Sequence, residues 1–159
     1  MALHPLTASE KVMEILEKLH QEHEEVKGLL AKMCDTEDAR TRSELFSEFK
    51  TALVKHARAE EKALYDPIIK SEGKDAAMDA REGYVEHEVA DKLVEKLSRA
   101  RNKGSEEWTA GIMVLKEILE HHIEEEEDEM FSSAREQFDD GEREKMEEKF
   151  EKEKSKVKA

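Results

Sequence analysis

One cysteine, two prolines and six glycines in 159 residues leave little material for cross-links or irregular loops. With Cys34 alone no intrachain disulfide can form, so nothing points to an oxidising compartment, and a thiol nucleophile has no evident base arrangement beside it. Aromatic residues make up only 5% of the chain, which together with the few glycines and prolines favours helices over sheet. No apolar run approaches the roughly 20 residues needed to span a bilayer. The first 20 residues are amphipathic and acidic where a leader would be uniformly apolar. A cytoplasmic protein is expected. Basic residues are outnumbered: the formal net charge is -14, with no local basic patch, so neither nucleic acid nor an anionic membrane is expected as a partner. What the chain does have is charge, at 43% of residues, and a helical period. At this length a single core hiding roughly 70% of the unfolded surface suffices.

Four helices follow from the periodicity. Thr7 and Glu10 have the form of a capping box, and Val12, Leu16, Leu19, Val26, Leu30 and Met33 continue one apolar stripe, so the first helix is expected over about 7–34. Phe46, Phe49 and Leu53 carry the second, which Asp66-Pro67 is expected to end. Val94 and Leu97 mark the third, from about Asp75 to Arg101, with Gly104 as its stop. Ser105, Glu106 and Glu107 open a fourth that carries Trp108, Ile112, Leu115 and Leu119 and runs to about Phe138. Short connections and spacings of three and four predict an all-α, up-down-up-down four-helix bundle over 1–138. Residues 139–159 form a C-terminal tail in which a short helix has only Met146 and Phe150 to bury, and partial fraying is expected there.

Each stripe contains polar residues where apolar ones belong. On the second helix the line 46, 49, 53 continues to His56 and Glu60 before Leu64 resumes it. On the fourth, 108, 112, 115, 119 continues to His122 and Glu126, with Met130 beyond. His23 lies on the stripe of the first helix and His87 on the line through Ala90, Val94 and Leu97. The pattern is also duplicated. HEEVKGLLAKM from His23 parallels HEVADKLVEKL from His87, and HARAEEKALY from His56 parallels HIEEEEDEMF from His122.

Burying two carboxylates and four imidazoles uncompensated costs several kcal/mol per group. A pair of cations removes that cost, because each Glu can bridge two ions ~3.5–4 Å apart while imidazoles fill the flanks. Residues i and i+4 share a helix face about 6 Å apart, so His56 and Glu60 reach one cluster. Two six-coordinate ions offer about twelve positions. Four His, two bridging Glu and a shared oxo or hydroxo group leave about two open for a small ligand. Nitrogen and oxygen donors without thiolate suit iron, with manganese and zinc as alternatives.

A single His on helix one, His-x-x-x-Glu-Glu followed by Leu-Tyr, then Glu-His, then a second His-x-x-x-Glu-Glu followed by an apolar-aromatic pair, resembles the hemerythrin-like (HHE cation-binding) family over about residues 12–138. The resemblance implies an oxo- or hydroxo-bridged centre of two Fe ions, with His23, His56, His87 and His122 as terminal ligands and Glu60 and Glu126 bridging. It implies binding of O2, peroxide or NO for storage, sensing or scavenging, or alternatively a catalase-like or NO-reducing activity. Oxygen-carrying members have a further His one turn before the helix-three ligand, where this chain has Gly83. They also have an Asp five residues after the helix-four His, where this chain has Glu127. Both departures count against reversible oxygen carriage.

The neighbours of these six residues read more plainly. His20 and His121 lie about 100° off the inward lines, and His4 precedes the bundle. Glu61 and Glu127 are expected on solvated faces, with orientation of an imidazole as the alternative. Tyr84, one turn from His87, is expected to pack in the core near the space left by Gly83, with a ligand or redox role as the alternative. The acidic run 124–128 lacks the Gly and alternating ligands of an EF-hand, and a ferritin-like oxidase needs Glu-x-x-His on two helices, whereas Glu17-x-x-His20 occurs once and off the line. A metal-free interaction bundle is the remaining alternative.

Overall fold

Four side chains start four of the helices. Glu14, Asp38, Ser105 and Asp139 each accept a hydrogen bond from the backbone N–H three residues on, at 2.8–3.1 Å, satisfying a donor that the first helical turn leaves open. In the computed structural model, which describes residues 13–71 and 73–158, these caps open α1 (Ile15–Asp35), α2 (Ala39–Glu60), α5 (Glu106–Glu125) and α7 (Asp140–Lys156). The long α4 (Lys74–Arg99) starts at Gly73 without a side-chain cap. Two short helices, α3 (Asp66–Lys70) and α6 (Phe131–Gln137), prolong α2 and α5. No strand occurs among the described residues, and no helix there is long and apolar enough to cross a membrane.

The bundle is a closed ring of neighbours in which α1 packs on α2 and α5, α4 packs on α5, and α4 also meets the end of α2. This is the all-α bundle expected from the spacing. Its core is split in two. One apolar cluster holds Leu16, Leu19, Leu64, Tyr65, Ile68 and Phe131, and the other holds Leu30, Phe46, Phe49, Leu97, Trp108 and Leu115. Between them lies a polar layer of fully buried His and Glu side chains. Arg42 fastens the second cluster from inside, donating to Met33 O, Lys103 O and Thr109 Oγ1 and lying over the Trp108 ring.

Three boundaries differ from expectation. Residues Met13 and Glu14 are not helical, so α1 begins at Ile15; the Thr7–Glu10 capping box, Val12 and His4 lie outside the described residues. Helix α2 does not stop at Asp66-Pro67. It widens into a π-helical turn, Glu61–Tyr65, and continues to Lys70 with Pro67 in the first turn of α3. In a regular helix the proline ring would meet the carbonyl four residues back and lack the N–H to pair with it; the wide turn lies just where that conflict would arise. A second π-helical turn, Glu126–Met130, joins α5 to α6.

The third difference is α7, an unbroken helix rather than a frayed tail. A capping box of Asp139 and Glu142 fixes its start, and Phe150 is fully buried against the first apolar cluster. Polar ties do the rest: Arg143 donates to Glu14 Oε2 at 2.6 Å and Lys154 to Glu22 Oε2 at 2.5 Å.

Candidate metal centre

The duplicated segments bring six inward side chains to the middle of the bundle from four helices: His23 on α1, His56 and Glu60 on α2, His87 on α4, His122 on α5 and Glu126 where α5 meets its π turn. All six are buried. Every imidazole presents Nε2 to a carboxylate. His56 Nε2 lies 3.2 Å from Glu60 Oε2 and His87 Nε2 lies 3.2 Å from Glu60 Oε1, so the two oxygens of Glu60 face two different histidines. Glu126 repeats this. Its Oε1 lies 3.5 Å from His23 Nε2 and its Oε2 lies 3.2 Å from His122 Nε2. Two groups of donor atoms result, His23, His56 and Glu60 on one side and Glu60, His87 and His122 on the other, with donors in each within 4.8 Å of one another.

The donor set fits cations on a direct test. His23 Nε2, both oxygens of Glu60 and Glu126 Oε1 are buried and have no hydrogen-bond partner. Orphaned acceptors are rare in protein interiors, and here several converge on one small volume. Imidazole nitrogen and carboxylate oxygen donors are the ligands that iron, manganese or zinc take.

A second layer fixes the imidazoles from behind, and it runs round the bundle in one direction. Glu22 of α1 contacts His56 Nδ1 of α2 at 3.0 Å, and Glu61 after α2 contacts His87 Nδ1 of α4 at 2.8 Å. Glu86 of α4 contacts His122 Nδ1 of α5 at 3.1 Å, and Glu127 after α5 contacts His23 Nδ1 of α1 at 2.9 Å. Each helix thus sets the ring of the next. With a carboxylate on Nδ1, an imidazole that gives up one proton keeps the other there and turns its Nε2 lone pair inward. Glu61 and Glu127, expected on solvated faces, take this orienting role. Glu22 and Glu86 were not singled out in the sequence, although each immediately precedes a candidate ligand, because the ring each one touches is on another helix.

Electrostatics follow from this crowding. Burial alone would push Glu60 up, but the His56 charge and the other imidazoles close by hold its carboxyl well below the usual range. Burial would lower the histidines. The carboxylates of Glu126, Glu127 and Glu60 instead hold His23 well above its ordinary value, and those of Glu126 and Glu86 push His122 up to about 10. Carboxylates outnumber imidazoles in and behind this layer, so protons or cations are drawn to it.

The sequence reading missed Tyr65. Its fully buried hydroxyl donates to Glu126 Oε2 at 2.6 Å, and its oxygen lies 3.2 Å from His122 Nε2 and 3.4 Å from His87 Nε2. The ring fills the space left by Gly83, where a Cβ would sit 2.8 Å from Tyr65 Cε2. Tyr84, expected in the core near that space, is partly buried against the same apolar cluster, lies edge-on to the Tyr65 ring with centroids 5.6 Å apart, and donates to Asp66 Oδ1 at 2.5 Å. The signal was available: Tyr65 sits nine residues after His56, where the repeat has Phe131 after His122. His20 reaches only Glu127, and His121 pairs with Glu125 at the surface.

Above the four imidazoles is a cavity of about 20 Å³ walled by Val26, Leu53, Ala90, Leu119 and Ile123. Its size suits one water-sized molecule, and apart from the imidazoles and Asp91 its walls are apolar. Comparison with curated proteins and with solved structures finds no match. The sequence pattern of the Hemerythrin HHE cation binding domain family, however, matches residues 14–134, which contain every donor just described. With three-quarters of the chain covered and its His and Glu side chains gathered into one metal-binding cluster, the chain belongs to the hemerythrin HHE cation-binding family.

Proposed function

We propose that His23, His56, His87 and His122 hold two iron ions bridged by Glu60 and Glu126, and that the centre binds O2, peroxide or NO from the apolar cavity. One observation carries the reading: the two oxygens of each of two buried glutamates face different histidines, and three of those four oxygens have no hydrogen-bond partner. An iron pair supplies electrons and open coordination positions to a small ligand. The protein residues do the rest. Glu22, Glu61, Glu86 and Glu127 hold the imidazoles in one orientation, Val26, Leu53 and Leu119 exclude bulk water, and Tyr65 offers a proton beside the inner donors. An uncharged diatomic enters such an apolar cavity at little desolvation cost, whereas an anion does not. Elemental analysis of the aerobic protein is expected to give about two irons per chain, with near-ultraviolet absorption of a bridged iron pair. Glu126→Ala is expected to lose both, and a metal-free wild type purified with iron supplied overturns the reading.

Tyr65 favours a second reading, peroxide dismutation or NO reduction, because the first passes protons from one peroxide to another, the second takes them up, and its hydroxyl lies within the donor ring. Added peroxide discriminates: sustained oxygen release indicates turnover, and a stoichiometric spectral change indicates binding.

A further inference from the structure

Two of the four orienting carboxylates meet a cationic side chain and a third meets an imidazole. Lys154 reaches Glu22 at 2.5 Å, Arg58 reaches Glu61 at 3.0 Å and His20 reaches Glu127 at 2.7 Å. Glu86, behind His122, has no such group beyond it. It opens instead into a cleft between α4 and the junction of α5 with its π turn, lined also by Asp79, Glu82, Glu125 and Glu129. Exposure falls along the cleft. Glu82, Glu125 and Glu129 are exposed, Asp79 and Glu86 are half-buried, and His122 and Glu126 at the inner end are buried. Among the described residues no Lys or Arg pairs with any of these acids; their partners are the imidazoles of His121 and His122.

A solvated acidic face ordinarily recruits lysines and arginines, as Glu95 recruits Arg99 and Glu120 recruits Lys116 on the same two helices. Here the acids crowd one another instead: burial, then the charges of Glu129, Asp75 and Glu125, raises the Asp79 carboxyl. The floor of the cleft is Glu126, 2% exposed, with its Oε1 unpartnered. A line of acids with no Lys or Arg beside it, ending on a buried carboxylate with one unpartnered oxygen, suits a positive ligand.

We propose that this cleft is the route by which divalent cations enter the His/Glu centre. The proposal rests on the metal reading above and adds the path. Acidic walls of low dielectric focus the field and raise the local cation concentration. Glu86 and then Glu126 offer carboxylate oxygens in succession as the ion sheds water. The apolar cavity is a separate opening, so charged cargo and uncharged ligand have different doors.

The test is the rate of cobalt(II) uptake by metal-free full-length protein, followed by stopped-flow visible absorption at low and high salt. The variant Asp79→Asn/Glu82→Gln/Glu129→Gln removes three charges outside the donor set. It is expected to load at least roughly tenfold more slowly at low salt, with the difference shrinking as salt screens the field. Final stoichiometry and spectrum are expected to match wild type. A matched triple on α7, Glu144→Gln/Glu148→Gln/Glu151→Gln, makes the same change in net charge and is expected to load at the wild-type rate. Equal rates in the cleft variant and wild type, or equal slowing in both triples, overturn the route alone. Failure of wild type to take up cobalt overturns the metal reading and the route together. Should the triple fold poorly, Glu82→Gln/Glu129→Gln, both exposed, gives the same comparison.

Discussion

Tyr65 and Gly83 are one feature written in two places. The phenol ring stands against the bare backbone of α4, and the 2.8 Å approach of a built Cβ leaves no room for even a methyl group. Gly83→Ala is therefore expected to destabilise the protein by about 1–3 kcal/mol, the usual cost of overpacking a rigid core, seen as a lower urea midpoint. Tyr65→Leu should relieve much of that loss in the double variant; equal losses with and without it would show that the clash lies elsewhere. The six inward residues were legible in the sequence because each falls on an apolar line at helical spacing. The residues that orient them were only partly so. Glu22 and His56 are 34 positions apart, and Glu86 and His122 are 36 apart, so their pairing depends on how helices pack and not on any local pattern.

The helices themselves followed from caps and stripes, but the π turns did not. A shift from four- to five-residue hydrogen bonding leaves no composition signature, and Pro67 read naturally as a stop. Each wide turn begins at or just after an inward glutamate, and a consecutive pair, Glu60 with Glu61 and Glu126 with Glu127, serves the inner and outer layers together. Helix α7 was misjudged for a related reason: it has almost no apolar side, and polar ties to Glu14 and Glu22 hold it in addition to Phe150. Truncating that residue removes its main anchor. Phe150→Ala is expected to cost about 3–5 kcal/mol at its site, with amide exchange over Asp140–Lys156 rising well above that of α1. Unchanged protection of α7 would mean that its polar ties suffice.

Across the whole molecule the polar layer separates two apolar clusters, so its state bears on the stability of both. Removing metal with a strong chelator is expected to lower the thermal midpoint, because a ligand that binds only the folded chain stabilises it by mass action. Equal midpoints before and after chelation, with metal loss verified by elemental analysis, would leave an interaction bundle as the better description. Far from that layer, Arg42→Ala is expected to cost more than about 3 kcal/mol, since it opens a cavity beside Trp108 and strands Met33 O and Lys103 O. That loss should be equal with and without metal.

The outer carboxylates hand orientation from one helix to the next and back to the start. A loop of dependence has no free end from which to unravel. Loosening any single wall deprives its neighbour's imidazole of its bearing, and the disturbance returns to where it began, so the donors should come into and fall out of alignment as a set, and half-built sites holding one ion should be scarce.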